Sequence, residues 1–256
     1  MEEDPVRKPG KHTPFFELVD AQAMAGCPIC RLVYKATDRY LDALLYEAVL
    51  DPDVRAKLKD SQGFCADHVE MLRNQPGRAL GVALIYRDTL KQLLKSLEQA
   101  RPTRPSNWAA RLRGAGASDS PTVMRLSPSQ GCPACAIAAT TEQDYIALLL
   151  AHLDDPKLHE AYAAGEGLCL PHLLAALRQV RDEETLQRLV APQAERYRRM
   201  LADLDEFIRK RDHRFAHEKY GDEGDVWLRV MNVIVGGAGM GLSAKSGGRR
   251  TSDIGR

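Results

Sequence analysis

Apolar positions recur along this chain with the period of a helix. Leu41, Leu44, Leu45, Ala48 and Val49 follow i, i+3, i+4, i+7, i+8 spacing, and Ile146, Leu149, Leu150 and Leu153 follow the same rule. Further on, Tyr86, Leu90, Leu93, Leu94 and Leu97 form one stripe, and Tyr197, Met200, Leu201, Leu204, Phe207 and Ile208 another. No run of alternating β-branched residues bounded by turn signals interrupts these segments, so the pattern predicts an all-α protein. The segment Arg101–Gln130, rich in Pro, Arg, Ser and Gly, reads as a loose linker, and Gly236–Arg256 as a disordered tail.

The two helical stretches on either side of the linker share a repeat. Cys27-Pro28-Ile29-Cys30 is answered 105 residues later by Cys132-Pro133-Ala134-Cys135. Gly63-Phe64-Cys65-Ala66-Asp67-His68 is answered 104 residues later by Gly167-Leu168-Cys169-Leu170-Pro171-His172, and Asp51-Pro52 by Asp155-Pro156 at the same offset. One residue therefore separates the two registers, and it lies before position 51. A self-similar period this long suggests a duplicated domain rather than a solenoid. The expected organisation is a first helical repeat over 12–100, a linker over 101–130, a second repeat over 131–235 and a tail over 236–256.

The cysteines change the picture from fold to chemistry. All six lie inside these motifs, where buried hydrophobic cysteines would scatter. A pair two residues apart clasps an ion from a tight turn, and a Cys-x-x-His element elsewhere completes a tetrahedron. Pro28 and Pro133 suit the first position of a helix, which makes Cys27 and Cys132 N-caps, and Pro171 is tolerated only in a first turn. Ligands so placed sit where free N–H groups and the helix dipole favour thiolate. The candidate metal ligands are thus Cys27, Cys30, Cys65, His68, Cys132, Cys135, Cys169 and His172, with one Cys₃His site expected to pin each half. The ligand count is met equally if Cys27 and Cys30 join Cys65 and His68 or reach across to Cys169 and His172. Zinc, two ions per chain, is the expected cofactor, and iron–sulfur clusters are the alternative that spacing leaves open. A thioredoxin-like dithiol fits poorly, because Cys27 follows the helical-looking segment 15–25 rather than a strand.

Composition narrows the function. Thirty-six Lys and Arg against 35 Asp and Glu leave a net charge of +1, with no field to steer nucleic acid or an anionic membrane. The start, MEEDPVRKPGKHT, lacks a secretory apolar run, and stretches such as YIALLLAHL are too short to span a bilayer, so a soluble cytoplasmic protein is expected. Closed ligand sets leave no vacancy for substrate, which favours a non-enzymatic structural or interaction module with a protein partner. The alternatives are an iron–sulfur electron-transfer or redox-sensing protein, and an enzyme using Glu206, Asp212 and His213. Glu206, His213 and His217 could share one face if the helix continues through them, although the alternating charges of this region also describe a solvated helix. The glycine-rich stretch from Val235 to Ser246 satisfies neither nucleotide-loop pattern, since Leu242 and Ala244 stand where glycine is required.

The Gly-Cys-Pro-x-Cys and Gly-x-Cys-x-x-His pairs, with Glu-Phe-Ile-Arg-Lys-x-Asp at 206–212, resemble an uncharacterised prokaryotic family of unknown function across roughly residues 12–235. The resemblance implies a shared helical fold and no established activity.

Overall fold

A computed structural model describes residues 12–100, 121–215 and 217–237. Among these residues the only regular structure is helical. The helices are α1 (Thr13–Gln22), α2 (Pro28–Ala43), α3 (Pro52–Asp60), α4 (Ala66–Arg73), α5 (Ala79–Glu98), α6 (Pro121–Leu126), α7 (Pro133–His152), α8 (Pro156–Ala164), α9 (Leu170–Leu177), α10 (Glu183–Lys210) and α11 (Val226–Val235). No helix among the described residues is long and apolar enough to cross a membrane.

Local chemistry explains the helix starts. Asp51 Oδ1 accepts from the N–H groups of Asp53 and Val54 at 2.9 and 3.0 Å, and Asp155 Oδ1 accepts from Lys157 and Leu158 at 3.0 and 3.3 Å. In both cases proline occupies the following position, where its missing N–H costs nothing. The one-residue difference in register also has a structural counterpart. After α2 the chain runs through a π-helical turn, Leu44–Ala48, whereas the corresponding stretch of α7 stays α-helical to His152. A single inserted residue is the ordinary origin of such a turn.

The chain divides into two compact units, and these do not follow the sequence halves. Among the described residues, those within 1–35 and 139–256 make up the first, and those within 36–138 the second. The boundaries fall inside α2 and α7, so each unit takes part of both sequence halves. The core of the first unit gathers Phe15, Leu18 and Ile29 with Ile146, Leu149, Leu153, Leu158 and the fully buried Tyr162. Tyr162 donates its hydroxyl to the Leu189 carbonyl at 2.9 Å, which removes the cost of burying it. The core of the second unit gathers Leu41, Leu44, Leu45, Leu58, Phe64, Leu72 and Ile85.

Two expectations need revision. The segment expected to be a loose linker is ordered over its last ten residues: α6 packs on α5, Gln62 Nε2 donates to the Leu126 carbonyl at 2.8 Å, and the Ser129 N–H donates to the Asp60 carbonyl at 2.8 Å. Its first part, 101–120, lies outside the described residues, as does the tail from 238. The stripe Leu90, Leu94, Leu97 is helical as read, but it is exposed; α5 instead turns Gly81, Ile85 and Thr89 inward.

Candidate metal centres

The eight residues singled out by their spacing converge in two foursomes. Cys27, Cys30, Cys169 and His172 form one, and Cys65, His68, Cys132 and Cys135 the other, with the ligand atoms of each all within 4.8 Å of one another. Each foursome lies inside one compact unit. Neither closes within a sequence half: each Cys-x-x-Cys meets the Cys-x-x-His of the other repeat. The expected organisation of one site per half is therefore corrected to two sites that each draw on both halves. The reason is that α2 and α7 carry their leading cysteines into the unit holding the opposite Cys-x-x-His.

Helix starts aim the ligands. Cys65 and Cys169 are the N-caps of α4 and α9 in closely similar extended conformations (φ −68° in both; ψ 170° and 160°), and neither sulfur caps its own helix. Both sulfurs are thus free to face their neighbours, with the histidine one turn on at 3.0 Å in each site. The glycine heading each of these motifs makes the entry turn: Gly63 and Gly167 have φ of +94° and +72°. A Cβ on Gly167 would come within 2.5 Å of Gln193 Oε1 and Arg196 Nη1, so both conformation and space demand glycine there.

The donor geometry fits a single tetrahedral ion. Zinc bonds of about 2.3 Å to sulfur and 2.0–2.1 Å to nitrogen place sulfurs about 3.8 Å apart, and sulfur and nitrogen about 3.6 Å apart. The first site has Cys30 Sγ to Cys169 Sγ at 3.7 Å, with His172 Nδ1 at 3.4 Å from both Cys27 and Cys30. The second has Cys65 Sγ to Cys135 Sγ at 3.6 Å, with His68 Nδ1 at 3.5 Å from both Cys132 and Cys135. These lie close to the edges of a tetrahedron, while the Cys65–His68 and Cys169–His172 pairs, at 3.0 Å, are shorter than such an edge. All six cysteines are free of disulfides.

The electrostatics of the donors favour a shared cation. Burial pushes the Cys27 thiol well above its ordinary range, whereas hydrogen bonds from Cys169 and Cys27 hold Cys30 down as the thiolate. Burial opposes charge on His172, yet its hydrogen bonds to Cys169 and Cys30 prevail and carry it up to about 10. In the second site partial desolvation of its sulfur among the other donors, then contact with Cys65, pushes Cys135 up to about 12, although the residue as a whole is exposed. Three sulfurs this close cannot all shed protons unaided, and a divalent ion is what permits it.

The sites differ in their surroundings. Cys27, Cys30 and Cys169 are buried, with Cys169 only 2% exposed, whereas Cys135 is exposed. The first site also has outer support that the motifs did not reveal. Glu142 Oε1 lies 3.9 Å from His172 Nε2, on the far side of the ring from the ligating nitrogen. The Gln193 side chain clamps the peptide groups of Leu168, donating to its carbonyl at 2.8 Å and accepting from its N–H at 3.1 Å; Arg196 Nε donates to the Gly165 carbonyl at 2.7 Å. Gly236 and Gly237, which open the stretch that mimics a nucleotide loop, lie over the sulfurs: the Gly237 N–H donates to Cys30 Sγ at 3.3 Å. The expected disordered tail begins at Gly236, and its first two residues are instead placed against Cys30 and Cys169.

The third group of candidates does not assemble. α10 ends at Lys210, so Glu206, His213 and His217 do not share a helical face. Glu206 pairs with Arg209 and Lys210, Asp212 pairs with Arg214, and the His213 side chain is 92% exposed beside Asp212. These contacts belong to a solvated helix end.

Comparison with known proteins adds no activity. A family model described as "Family of unknown function (DUF6062)" matches residues 13–240. An "Uncharacterized 23.9 kDa protein in xynA 3'region" of Caldicellulosiruptor sp. (strain Rt8B.4) is 23% identical over 217 residues, covering 82% of this chain and 95% of the relative. No solved structure matches.

Proposed function

Because the chain belongs to that family of unknown function, no activity is inherited, and we propose from the donor geometry that it is a structural zinc protein binding two ions. The observation that carries this is the convergence of four ligand atoms in each foursome to within 4.8 Å of one another, with sulfur–sulfur distances of 3.7 and 3.6 Å close to a tetrahedral edge. A multi-iron cluster places its cysteines on separate irons and spreads them further, so the compact spacing favours a single ion over an iron–sulfur cluster. Zinc, with no geometric preference beyond four donors, suits three thiolates and one imidazole best.

Each ion would act as a cross-link between stretches of chain far apart in sequence. Cys27 and His172 are 145 positions apart, and Cys135 and His68 are 67 apart. Such binding contributes on the order of 10 kcal/mol and is coupled to folding. With four protein donors around each ion no position is left for substrate, which supports a binding rather than a catalytic role. A protein partner suits the exposed Trp227, Met231, Ile234 and Val235, which recur along α11 at helical spacing. A reducing, cytoplasmic compartment suits six cysteines all gathered at metal centres. Internal duplication is supported by the matched N-caps and by helices of equal length, nine residues for α3 and α8 and eight for α4 and α9.

Metal analysis of anaerobically purified protein tests the reading together with an absorption spectrum. We expect about two zinc ions per chain and no visible band. A brown protein containing iron and labile sulfide would overturn it.

A further inference from the structure

A cavity of about 450 Å³ opens in the first unit, with none of the four metal ligands in its lining, between the end of α1, the end of α8, and the middle of α10. Its size is that of a small-molecule site. What distinguishes it is a set of polar groups whose partners are missing.

Arg196 lines the cavity and is only 3% exposed. Its guanidinium reaches the Gly165 carbonyl and Gln193 Oε1 and lies over the Tyr162 ring, but among the described residues it meets no carboxylate and its Nη2 has no partner. A buried cation with neutral company alone is costly and is ordinarily matched by an anion. Arg199, one turn further along α10, also lines the cavity and forms no ion pair among the described residues. Gln22, 1% exposed, presents an amide whose nitrogen and oxygen are both without partners. Two buried polar side chains short of partners, with the exposed Arg199 beside them, form a constellation that a structural role does not require.

The charges set the class of ligand. The lining holds three guanidinium groups, of Arg196, Arg199 and Arg229, against the carboxylates of Glu166 and Asp203. Arg229 is already matched to Asp203 and Asp225, and Glu166 accepts from the Gly26 N–H at 2.6 Å. Counted over the lining alone, without Asp225, one positive charge is left over, which a monoanion neutralises and a phosphate dianion would overshoot beside two carboxylates. The rest of the lining is apolar or small, with Met24, Met200, Ala161 and Ala164.

We propose that this cavity binds a small organic monocarboxylate, its carboxylate on Arg199 and in the field of Arg196, and its apolar body against Met24 and Met200. A planar carboxylate matches the fork of a guanidinium. The site is separate from the metal reading and stands or falls without it.

Calorimetric titration of the metal-replete full chain with hexanoate, its neutral isostere hexanamide and inorganic phosphate tests the proposal. Hexanoate should bind saturably with one site per chain, and hexanamide and phosphate at least about tenfold more weakly. Arg199→Ala, at an exposed position, should weaken hexanoate about tenfold. Ala164→Phe, also at an exposed position, should abolish binding by filling the cavity while keeping the wild-type circular dichroism. Equal binding of hexanoate and hexanamide would overturn the proposal, as would no saturable hexanoate binding, undiminished binding in a folded Ala164→Phe, or tighter binding of phosphate. If Ala164→Phe fails to fold, Arg199→Ala decides alone, and unchanged hexanoate affinity there counts against the site.

Discussion

The backbone N–H of Gly237 donates to the sulfur of Cys30 across 207 positions of sequence, at 3.3 Å. An N–H aimed at a thiolate stabilises its charge and turns aside protons that would compete with an ion. The approach depends on Gly236, whose φ is +85° and on which a Cβ would lie only 3.3 Å from Cys169 Sγ. Gly236→Ala should therefore loosen the cap and raise the rate of ion loss from the first site to a chelator by about tenfold or more. The second site should be unaffected. Metal release followed with a colorimetric chelator reads both phases, and identical kinetics in the variant would show that the glycine pair does not guard the centre.

The crossed pairing of the motifs makes a sharper prediction about stoichiometry. Cys27→Ser and Cys169→Ser should each leave one bound ion of two, and combining them should remove nothing more, because both remove donors from one foursome. Combining Cys27→Ser with Cys65→Ser should empty both. Sites closed within sequence halves would give the opposite result for the two double variants, so metal content by mass spectrometry separates the arrangements.

Burial predicts an order of release. Cys135 is exposed whereas Cys27, Cys30 and Cys169 are buried, so a chelator or a thiol reagent reaches the second foursome first. Stepwise titration with a chelator should remove one ion before the other, and Cys132 and Cys135 should be alkylated in the half-loaded protein while Cys27, Cys30 and Cys169 stay protected. Simultaneous loss of both ions would contradict this order.

Particular residues show how far the sequence could be read. Cysteine and histidine spacing identified all eight converging side chains, because short-range constraints such as Pro28, Pro133 and Pro171 fix helix starts without knowledge of the tertiary fold. The pairing of the foursomes was illegible, since two arrangements satisfy one ligand count. The one-residue register difference was visible as arithmetic, and its form as a π-helical turn at Leu44–Ala48 was not. The stripe Leu90, Leu94, Leu97 shows another limit: periodicity reports a helix, and which face meets a neighbour is decided by packing, here of Ile85 and Thr89. Gln193 and Arg196 carried no signal at all, because a polar residue within a charged helix announces nothing about the loop it holds.

That loop supplies a stability prediction. Gln193 is buried, and its amide satisfies both peptide groups of Leu168 immediately before the ligand Cys169. Gln193→Ala leaves a donor and an acceptor buried without partners, which should destabilise the chain by about 2–4 kcal/mol. Chemical denaturation of the metal-replete protein measures it, and Gln193→Glu should be no milder because it replaces the donor to the Leu168 carbonyl with a second acceptor. A loss within about 0.5 kcal/mol would place the Gln193 contacts among those that contribute nothing measurable.

Acid should undo a different contact. Glu223 accepts from Lys210 Nζ at 2.6 Å and from the Gly221 N–H at 2.9 Å, and these bonds, led by Lys210, lower its carboxyl from an ordinary 4.5 to about 2. A group whose folded value lies below its unfolded one adds stability that is whole above the unfolded value and disappears as the pH falls through the folded value. The difference in melting temperature between wild type and Glu223→Gln should thus be full at pH 6, shrink below about 4.5 and vanish near pH 2. Using the difference cancels whatever the metal centres lose in acid, since both proteins carry them intact. A gap that stays constant from pH 6 to pH 2 would mean that the Lys210 pair does not select the ionised carboxylate, and that Glu223 holds Gly221 and the start of α11 by shape alone.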